Sequence, residues 1–342
     1  MSLEHGMRVR IEAIDYYLPE TIVTNDDLAR ENREWNMELL ETRTGVQRRH
    51  IALDNETALD LAVKACEKIF HAHPELKDKV DGIIFCSESM DYILPPNACI
   101  LHGRLDLCED VLALDITLAC SGYIYGLALA QGLIFSKTAK NILLVNADTY
   151  SKFIHKHDRS TRVLFGDGAA VSLISESYSS QGIVDIKCST SGKDYDKFII
   201  PAGGCRQPKS GATSAPVQDK SGNIRTQENI HMDGFGILTF VNSKIPKQVA
   251  MFLEKNRLTV DDVDLFIFHQ ASNMALDSLE RILKIKKEKM FRNLKDVGNL
   301  VSASIPVAIK DALNQGRITP GDKVVLCGFG VGLSWGTTLI QF

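Results

Sequence analysis

Residues 115–130 read Asp115-Ile-Thr-Leu-Ala-Cys120-Ser-Gly-Tyr-Ile-Tyr-Gly-Leu-Ala-Leu-Ala130. The pattern changes from strand to helix across Cys120. Upstream, Val111 to Thr117 is apolar enough for a strand covered on both faces. Downstream, Ser121-Gly122 leaves room for a turn, and a helix is expected over Ser121 to Ser136. A cysteine at such a junction meets unpaired backbone N–H groups and the positive end of the helix dipole. That setting favours a thiolate, and a thiolate is a nucleophile. Free cysteine is also a common core filler, so this run alone leaves both roles open.

Outward from it, strand-like runs alternate with amphipathic helical stretches. Strands are expected at Gly82 to Cys86, Asn141 to Asn146, Asp264 to Phe268 and Lys323 to Cys327; helices fit Glu56 to Phe70, Ile245 to Lys255 and Ile305 to Asn314. Such alternation is the signature of an α/β fold with parallel or mixed sheets. The chain also echoes itself. Val80-Asp-Gly-Ile-Ile-Phe-Cys-Ser-Glu-Ser89 aligns with Val263-Asp-Leu-Phe-Ile-Phe-His-Gln-Ala-Ser272, Leu114 to Cys120 with Lys295 to Val301, and Phe165-Gly-Asp-Gly with Phe329-Gly-Val-Gly. Three matches in one order suggest a duplicated unit. The halves then cover 1–175 and 176–342, with Tyr178-Ser-Ser-Gln-Gly-Ile as the bridge, and Cys120 faces the loops after Phe268 and Val297. The irregular stretch from Pro201 to about Asn229 is read as a flap near the site entrance or a surface insertion.

Composition narrows the class. Of 342 residues, 44% are hydrophobic and 24% charged, as in ordinary globular proteins. A net charge of −4 gives nucleic-acid binding no global support. No apolar run approaches the ~20 residues of a membrane span, and the first residues lack a signal core. A cytoplasmic protein is expected. The eight cysteines, at 66, 86, 99, 108, 120, 188, 205 and 327, form no Cys-x-x-Cys pair. Reduced thiols are therefore expected, and no structural zinc. His155-Lys-His157 is a lone alternate pair and reads as a solvated loop.

Two later segments bear on Cys120. His269 ends a hydrophobic strand, where α/β sheets bind ligands. Asn299 lies in the turn Asp296-Val-Gly-Asn-Leu-Val. The run Cys327-Gly-Phe-Gly-Val-Gly-Leu-Ser-Trp-Gly336 can present backbone N–H groups to an oxyanion. It lacks the Lys-Ser/Thr ending of a P-loop.

Cysteine, histidine, asparagine and a terminal glycine loop, in that order, resemble the thiolase superfamily and its ketoacyl synthase III branch. The resemblance rests on Thr42-Arg-Thr-Gly-Val-Gln-Arg-Arg-His-Ile, Ala119-Cys-Ser-Gly, Phe165-Gly-Asp-Gly-Ala, His269-Gln-Ala, Gly298-Asn299 with Ser304-Ile-Pro306, and Phe329-Gly-Val-Gly-Leu-Ser-Trp-Gly. It implies a five-layered α-β-α-β-α sandwich of two duplicated halves, dimerised through a continuous sheet. It also implies a condensing acyltransferase: Cys120 takes an acyl group from a thioester, and a decarboxylated malonyl thioester then attacks it to give a 3-oxoacyl product. By this resemblance His269 and Asn299 donate to the enolate oxygen, and the backbone N–H groups of Cys120 and Val331 form the oxyanion hole. Arg43 and Arg159 contact coenzyme A, Phe329 and Gly330 line the substrate site, and Leu94 reaches into the partner subunit's acyl pocket. Coenzyme A and acyl carrier protein thioesters are the implied substrates, with no cofactor or metal.

Several positions depart from that pattern. Trp35 stands too far from Arg43 for the family tryptophan, leaving Leu39 or Leu40 in its place. Met274 follows Ser272-Asn273 where a carrier-docking arginine is usual, and Thr239 replaces a basic residue near the end of a helix at Asp233 to Thr239. Arg281 and Lys284 to Lys289 could supply charge for an acidic carrier protein. These departures fit a specialised relative serving a surface polysaccharide or secondary metabolite. The main alternative is a related transferase passing the acyl group to an amine or hydroxyl. A non-catalytic subunit is disfavoured by intact Cys120. A hydroxymethylglutaryl-type enzyme would need a carboxylate near the thiol, for which Glu88 is the candidate.

Overall fold

The computed structural model describes residues 6–342. Two sheets carry the fold. The first runs, edge to edge, Arg8–Tyr17, Gly168–Ser177, Asn141–Asp148, Gly82–Cys86, Leu112–Ile116. The second runs Gly182–Thr190, Ser334–Gln341, Lys323–Gly330, Leu265–Phe268. In each, an antiparallel hairpin pairs with a parallel strand on its inner side.

The helix Gly122–Phe135 contains no charged residue and is apolar around most of its surface. Such a helix must be covered on all sides. It contacts strands of both sheets, as does Ser304–Asn314. Tyr123, Ile124, Leu127 and Ile134 pack there with Ile305, Ala308, Ile309 and Ala312. The helix Ala58–Ala72 buries one stripe, including Leu59, Ala62, Cys66 and Ile69, on the outer face of the first sheet. Thr57 and Asp60 cap it reciprocally, satisfying two otherwise orphaned N–H groups. The helix Gly234–Lys255 covers the second sheet and packs on Asn273–Leu283. The result is the expected five-layered α-β-α-β-α sandwich.

The sheet orders bear on the internal echo. Gly82–Cys86 and Leu265–Phe268 occupy matching positions, and the hairpins 141–177 and 323–341 match likewise. The second echo holds only at its end: Cys120 and Val301 each precede a central helix. Its strand portion does not, because residues 294–297 are helical and the place of Leu112–Ile116 is taken by a single Phe266–Met290 bridge.

Two further expectations need correction. Leu112–Ile116 is a sheet edge with every residue partly exposed, not a strand covered on both faces. The helix expected from Ile245 begins at Gly234, so Thr239 lies early in a long helix rather than near the end of a short one. The Asp233 carboxylate starts that helix by accepting from Gly236 N at 2.9 Å, and Pro246 sits buried inside it. No helix among the described residues is long and apolar enough to cross a membrane.

Candidate active site

A cleft of about 330 Å3 brings together Cys120, His269 and Asn299 with Phe329, Gly330, Arg43 and Arg159. The three polar residues stand at the ends of different elements. Cys120 precedes the central helix, His269 follows the strand Leu265–Phe268, and Asn299 follows the short helix Leu294–Val297. All three are buried.

Cys120 is held from behind by the glycine-rich strand. A Cβ on Gly330 would lie 2.8 Å from Cys120 Cβ and 3.1 Å from its Sγ. Only glycine leaves the sulfur its space. Burial pushes the thiol well above the ordinary cysteine range, and the nearby charges of Glu88 and Asp148 act in the same direction. Its own backbone N–H opposes them. Desolvation of the sulfur thus acts against the thiolate expected from the helix junction.

His269 is fixed by its backbone N–H, which donates to Cys327 O at 2.8 Å, and by Phe329, whose ring meets the imidazole edge-on at 5.5 Å. Burial pushes its pKa down to about 3, so the imidazole is neutral across the physiological range. Its Nδ1 is buried and has no partner among the described residues. Asn299 is clamped by the opposite sheet's loop. Its N–H donates to Leu164 O at 2.9 Å, and Gly166 N–H donates to its carbonyl at 3.1 Å. Gly298 makes the turn possible with φ of +73° and a site where a Cβ would touch Leu164 O at 3.0 Å. The Asn299 side-chain oxygen accepts from Val301 N at 3.0 Å, which orients the amide. Its Nδ2 reaches Ala271 O only at 3.4 Å, a weak bond that leaves a donor for the cleft.

Behind the cysteine lies a polar network that the sequence pattern did not reveal. Asp148, fully buried, accepts from Glu88 N at 2.9 Å on one oxygen and from Ser302 Oγ at 2.6 Å on the other. It ties the first sheet to the turn before the central helix Ser304–Asn314. Burial pushes its pKa up to about 7. Tyr150 Oη donates to Glu88 Oε2. On the other side, Ser121 and Ser334 join through their hydroxyls at 2.7 Å, and Ser334 donates to Val331 O at 2.6 Å. The only local signal of Asp148 is a charged residue ending an otherwise buried strand.

The remaining expected residues fall in various places. Val331 lies outside the main cleft and lines an adjoining cavity with Glu88 and Tyr150. Leu94 is 79% exposed on the loop before Asn97–Arg104 and touches neither cavity of its own chain. Leu40, not Leu39, lines the cleft, while Trp35 packs beneath it on Leu28 and Val163. Ser272 caps the helix that carries Asn273 and Met274, and Met274 lines the cleft. The Pro201–Asn229 insertion folds against residues 157–159: Ser221 O accepts from Arg159 at 2.7 Å, and Arg225 pairs with Asp158 and Asp219. Of the lysines between 284 and 289, Lys289 is tied to the carbonyls of Asp261 and Val263, and Lys286 pairs with Asp261. His157 bonds Asn32 Oδ1 at 3.0 Å. The eight cysteines are free, and no three His, Cys, Asp or Glu side chains form a metal-ligand group among the described residues.

Comparison with known proteins places this geometry. Residues 114–192 match the family model described as 3-oxoacyl-[acyl-carrier-protein (ACP)] synthase III, and residues 253–342 match that of its C-terminal part. The beta-ketoacyl-[acyl-carrier-protein] synthase III of Fusobacterium nucleatum is 34% identical over 338 residues, 98% of each chain. That of Campylobacter curvus is 35% identical over 340 residues, 98% of this chain and 97% of the other. A crystal structure of a 3-oxoacyl-(acyl-carrier-protein) synthase III superposes with a TM-score of 0.96 at 38% identity, covering 98% of this chain and all of the other. The Thermus thermophilus synthase III does so with a TM-score of 0.86 at 30% identity, covering 97% and 99%. With a cysteine, an imidazole and a carboxamide converging in one cleft of this fold, the chain belongs to the beta-ketoacyl-[acyl-carrier-protein] synthase III family of condensing enzymes.

Proposed function

We propose that the chain joins an acyl group, carried first by coenzyme A and then by Cys120, to a malonyl group on acyl carrier protein. The observation that carries this reading is the convergence of Cys120, His269 and Asn299 on one buried cleft. In the first step Cys120 Sγ attacks the thioester carbonyl. The C–S bond of the donor breaks, and the thiol proton leaves with the departing coenzyme A thiolate. Backbone N–H groups of Cys120 and Val331 receive the negative oxygen. In the second step the malonyl thioester loses carbon dioxide. Its enolate oxygen takes hydrogen bonds from His269 and the Asn299 amide. The enolate carbon then attacks the acyl-cysteine, and Cys120 leaves as the thiolate and regains a proton.

Neutral donors suit charge that appears and then vanishes, because neither must titrate with it. Donors of this kind typically lower a barrier by ~3 kcal/mol each. Arg43, exposed, and Arg159, half-buried, offer guanidinium groups to the nucleotide end of coenzyme A, and Phe329 and Gly330 shape the wall beside the sulfur. The substrates are thioesters, and these steps draw on no metal or redox group.

The same reading includes a cytoplasmic homodimer of two-half chains divided at 175/176. The edge Leu112–Ile116 has no strand on its outer side among the described residues, and the loop beside it exposes Ile93 at 95% and Leu94 at 79%. A second copy can extend the sheet and take Leu94 into its acyl compartment.

The test pairs two measurements. Intact mass reports acyl-Cys120 from an acyl-CoA mixture, and labelled carbon dioxide reports decarboxylation of malonyl thioesters. Both signals are expected, and both should vanish in Cys120→Ala when carbon dioxide release is coupled to condensation. Acylation with no carbon dioxide release would instead indicate transfer to an amine or hydroxyl.

A further inference from the structure

Glu88 takes no part in the steps above, yet it is half-buried and close enough to Cys120 for its charge to bear on the thiol. It lines a second cavity of about 330 Å3 whose wall includes Val331 and Gly332 of the oxyanion loop. Phe198 lines both this cavity and the main cleft, and meets Tyr150 and Phe165 in a triangle of tilted and edge-on rings 5.4–6.4 Å apart. The second cavity thus adjoins the cleft that holds Cys120 and is the candidate compartment for an acyl chain carried on its sulfur. Its walls are largely apolar, with Phe153, Ile199, Ile200 and Ile230. One end is not. Tyr150 Oη donates to Glu88 Oε2, and Oε1 accepts nothing from any described residue.

Glu88 Oε1 is accessible from the cavity and has no protein donor, and a plain hydrocarbon chain packed against it would strip its water and leave it unpaired, which is costly. We propose that Glu88, held by Tyr150, is the recognition group of the acyl compartment and selects a donor whose chain carries a hydrogen-bond donor, a hydroxyl or an amine. The inference rests on the condensing-enzyme reading and specifies its acyl substrate. Burial raises the Glu88 pKa, and the hydrogen bond from Tyr150 opposes that rise. Glu88 acts here on the substrate chain and not on the reacting carbonyl.

The test loads Cys120 in the full-length protein from three coenzyme A thioesters of matched shape: 3-hydroxybutyryl, 3-aminobutyryl and 3-methylbutyryl. Initial rates of adduct formation are read by intact mass. The wild type is expected to favour the hydroxy or amino donor over the methyl isostere by about 10- to 100-fold. The arm that leads identifies the substituent. Glu88→Leu should invert the preference by accelerating 3-methylbutyryl loading. The near-isosteric Glu88→Gln should keep a hydroxyl preference and lose an amine preference. Because each comparison is a ratio within one protein sample, a loss of folded material cancels. Equal loading by all three donors in the wild type overturns the specificity and leaves the condensing reading intact. An unchanged preference ratio in Glu88→Leu also overturns it, since Glu88 would then not be what reads the substituent. Failure of every thioester to load the wild type overturns both readings.

Discussion

Asn299 offers a way to separate the two half-reactions. Its side chain has one committed atom and one nearly free one. The oxygen accepts from Val301 N at 3.0 Å, while Nδ2 reaches Ala271 O at only 3.4 Å. An enolate oxygen in the cleft would replace that long contact with a short, charge-assisted bond. The donor therefore acts when charge develops and contributes little before then. Removing it should slow decarboxylation by about 100- to 1000-fold, the range for one oxyanion donor. Asn299→Ala also strips the buried Val301 N–H of its acceptor, at a stability cost of about 1–3 kcal/mol. Asn299→Asp keeps that acceptor and replaces the donor with an oxygen that repels the enolate. Both variants should lose carbon dioxide release from malonyl thioesters to a similar degree. Both should load acyl groups on Cys120 within about threefold of wild type, because acylation draws on backbone N–H groups. Rapid-quench intact mass gives loading, and labelled carbon dioxide gives decarboxylation. A parallel fall in both steps for Asn299→Asp would refute the division of labour.

Other perturbations follow from the same geometry. Ser334→Ala breaks the link from Ser121 to Val331 O and should slow acylation about tenfold while sparing decarboxylation; the same two assays read it. Gly122→Ala places a Cβ 2.2 Å from Cys86 Sγ and should cost about 1–3 kcal/mol of stability in urea unfolding, with most of it recovered in the double variant with Cys86→Ala. His269, with its pKa pushed down to about 3, stays neutral in the folded protein while the unfolded chain takes up a proton below pH 6.5. Stability is therefore lost as pH falls from 6.5 toward 3, by about 2 kcal/mol at pH 5. His269→Asn should remove that slope when urea midpoints are compared at pH 7 and pH 5. Asp148 acts oppositely: its raised pKa means that the folded state keeps a proton, so its contribution declines as pH rises from 3.8 to about 7. Variants are thus more telling than the wild-type profile, in which the two slopes offset each other.

What the sequence disclosed and what it hid divide along a physical line. The central helix was legible because Gly122–Phe135 has no charged face to leave in water. Cys120 and His269 were legible because each sits at the end of a strand or the start of a helix, where local pattern changes type. Asn299 stood out through its Gly298 turn and the family resemblance. The network behind them was not legible, because its partners are far apart along the chain: Asp148 meets Ser302, Tyr150 meets Glu88, and Ser121 meets Ser334. A periodicity argument sees one segment at a time and cannot pair such groups. The same blindness explains Cys120 itself. Its helix junction is local and argues for a thiolate, whereas the enclosure and the two carboxylates that argue for a thiol come from across the fold. Leu112–Ile116 shows the reverse case. Its apolar run argued for cover on both faces, yet within one chain it forms an edge. The hydrophobicity that a single copy leaves unexplained is what the second copy proposed above would help to cover, since an unpaired edge strand is a site for pairing with another chain.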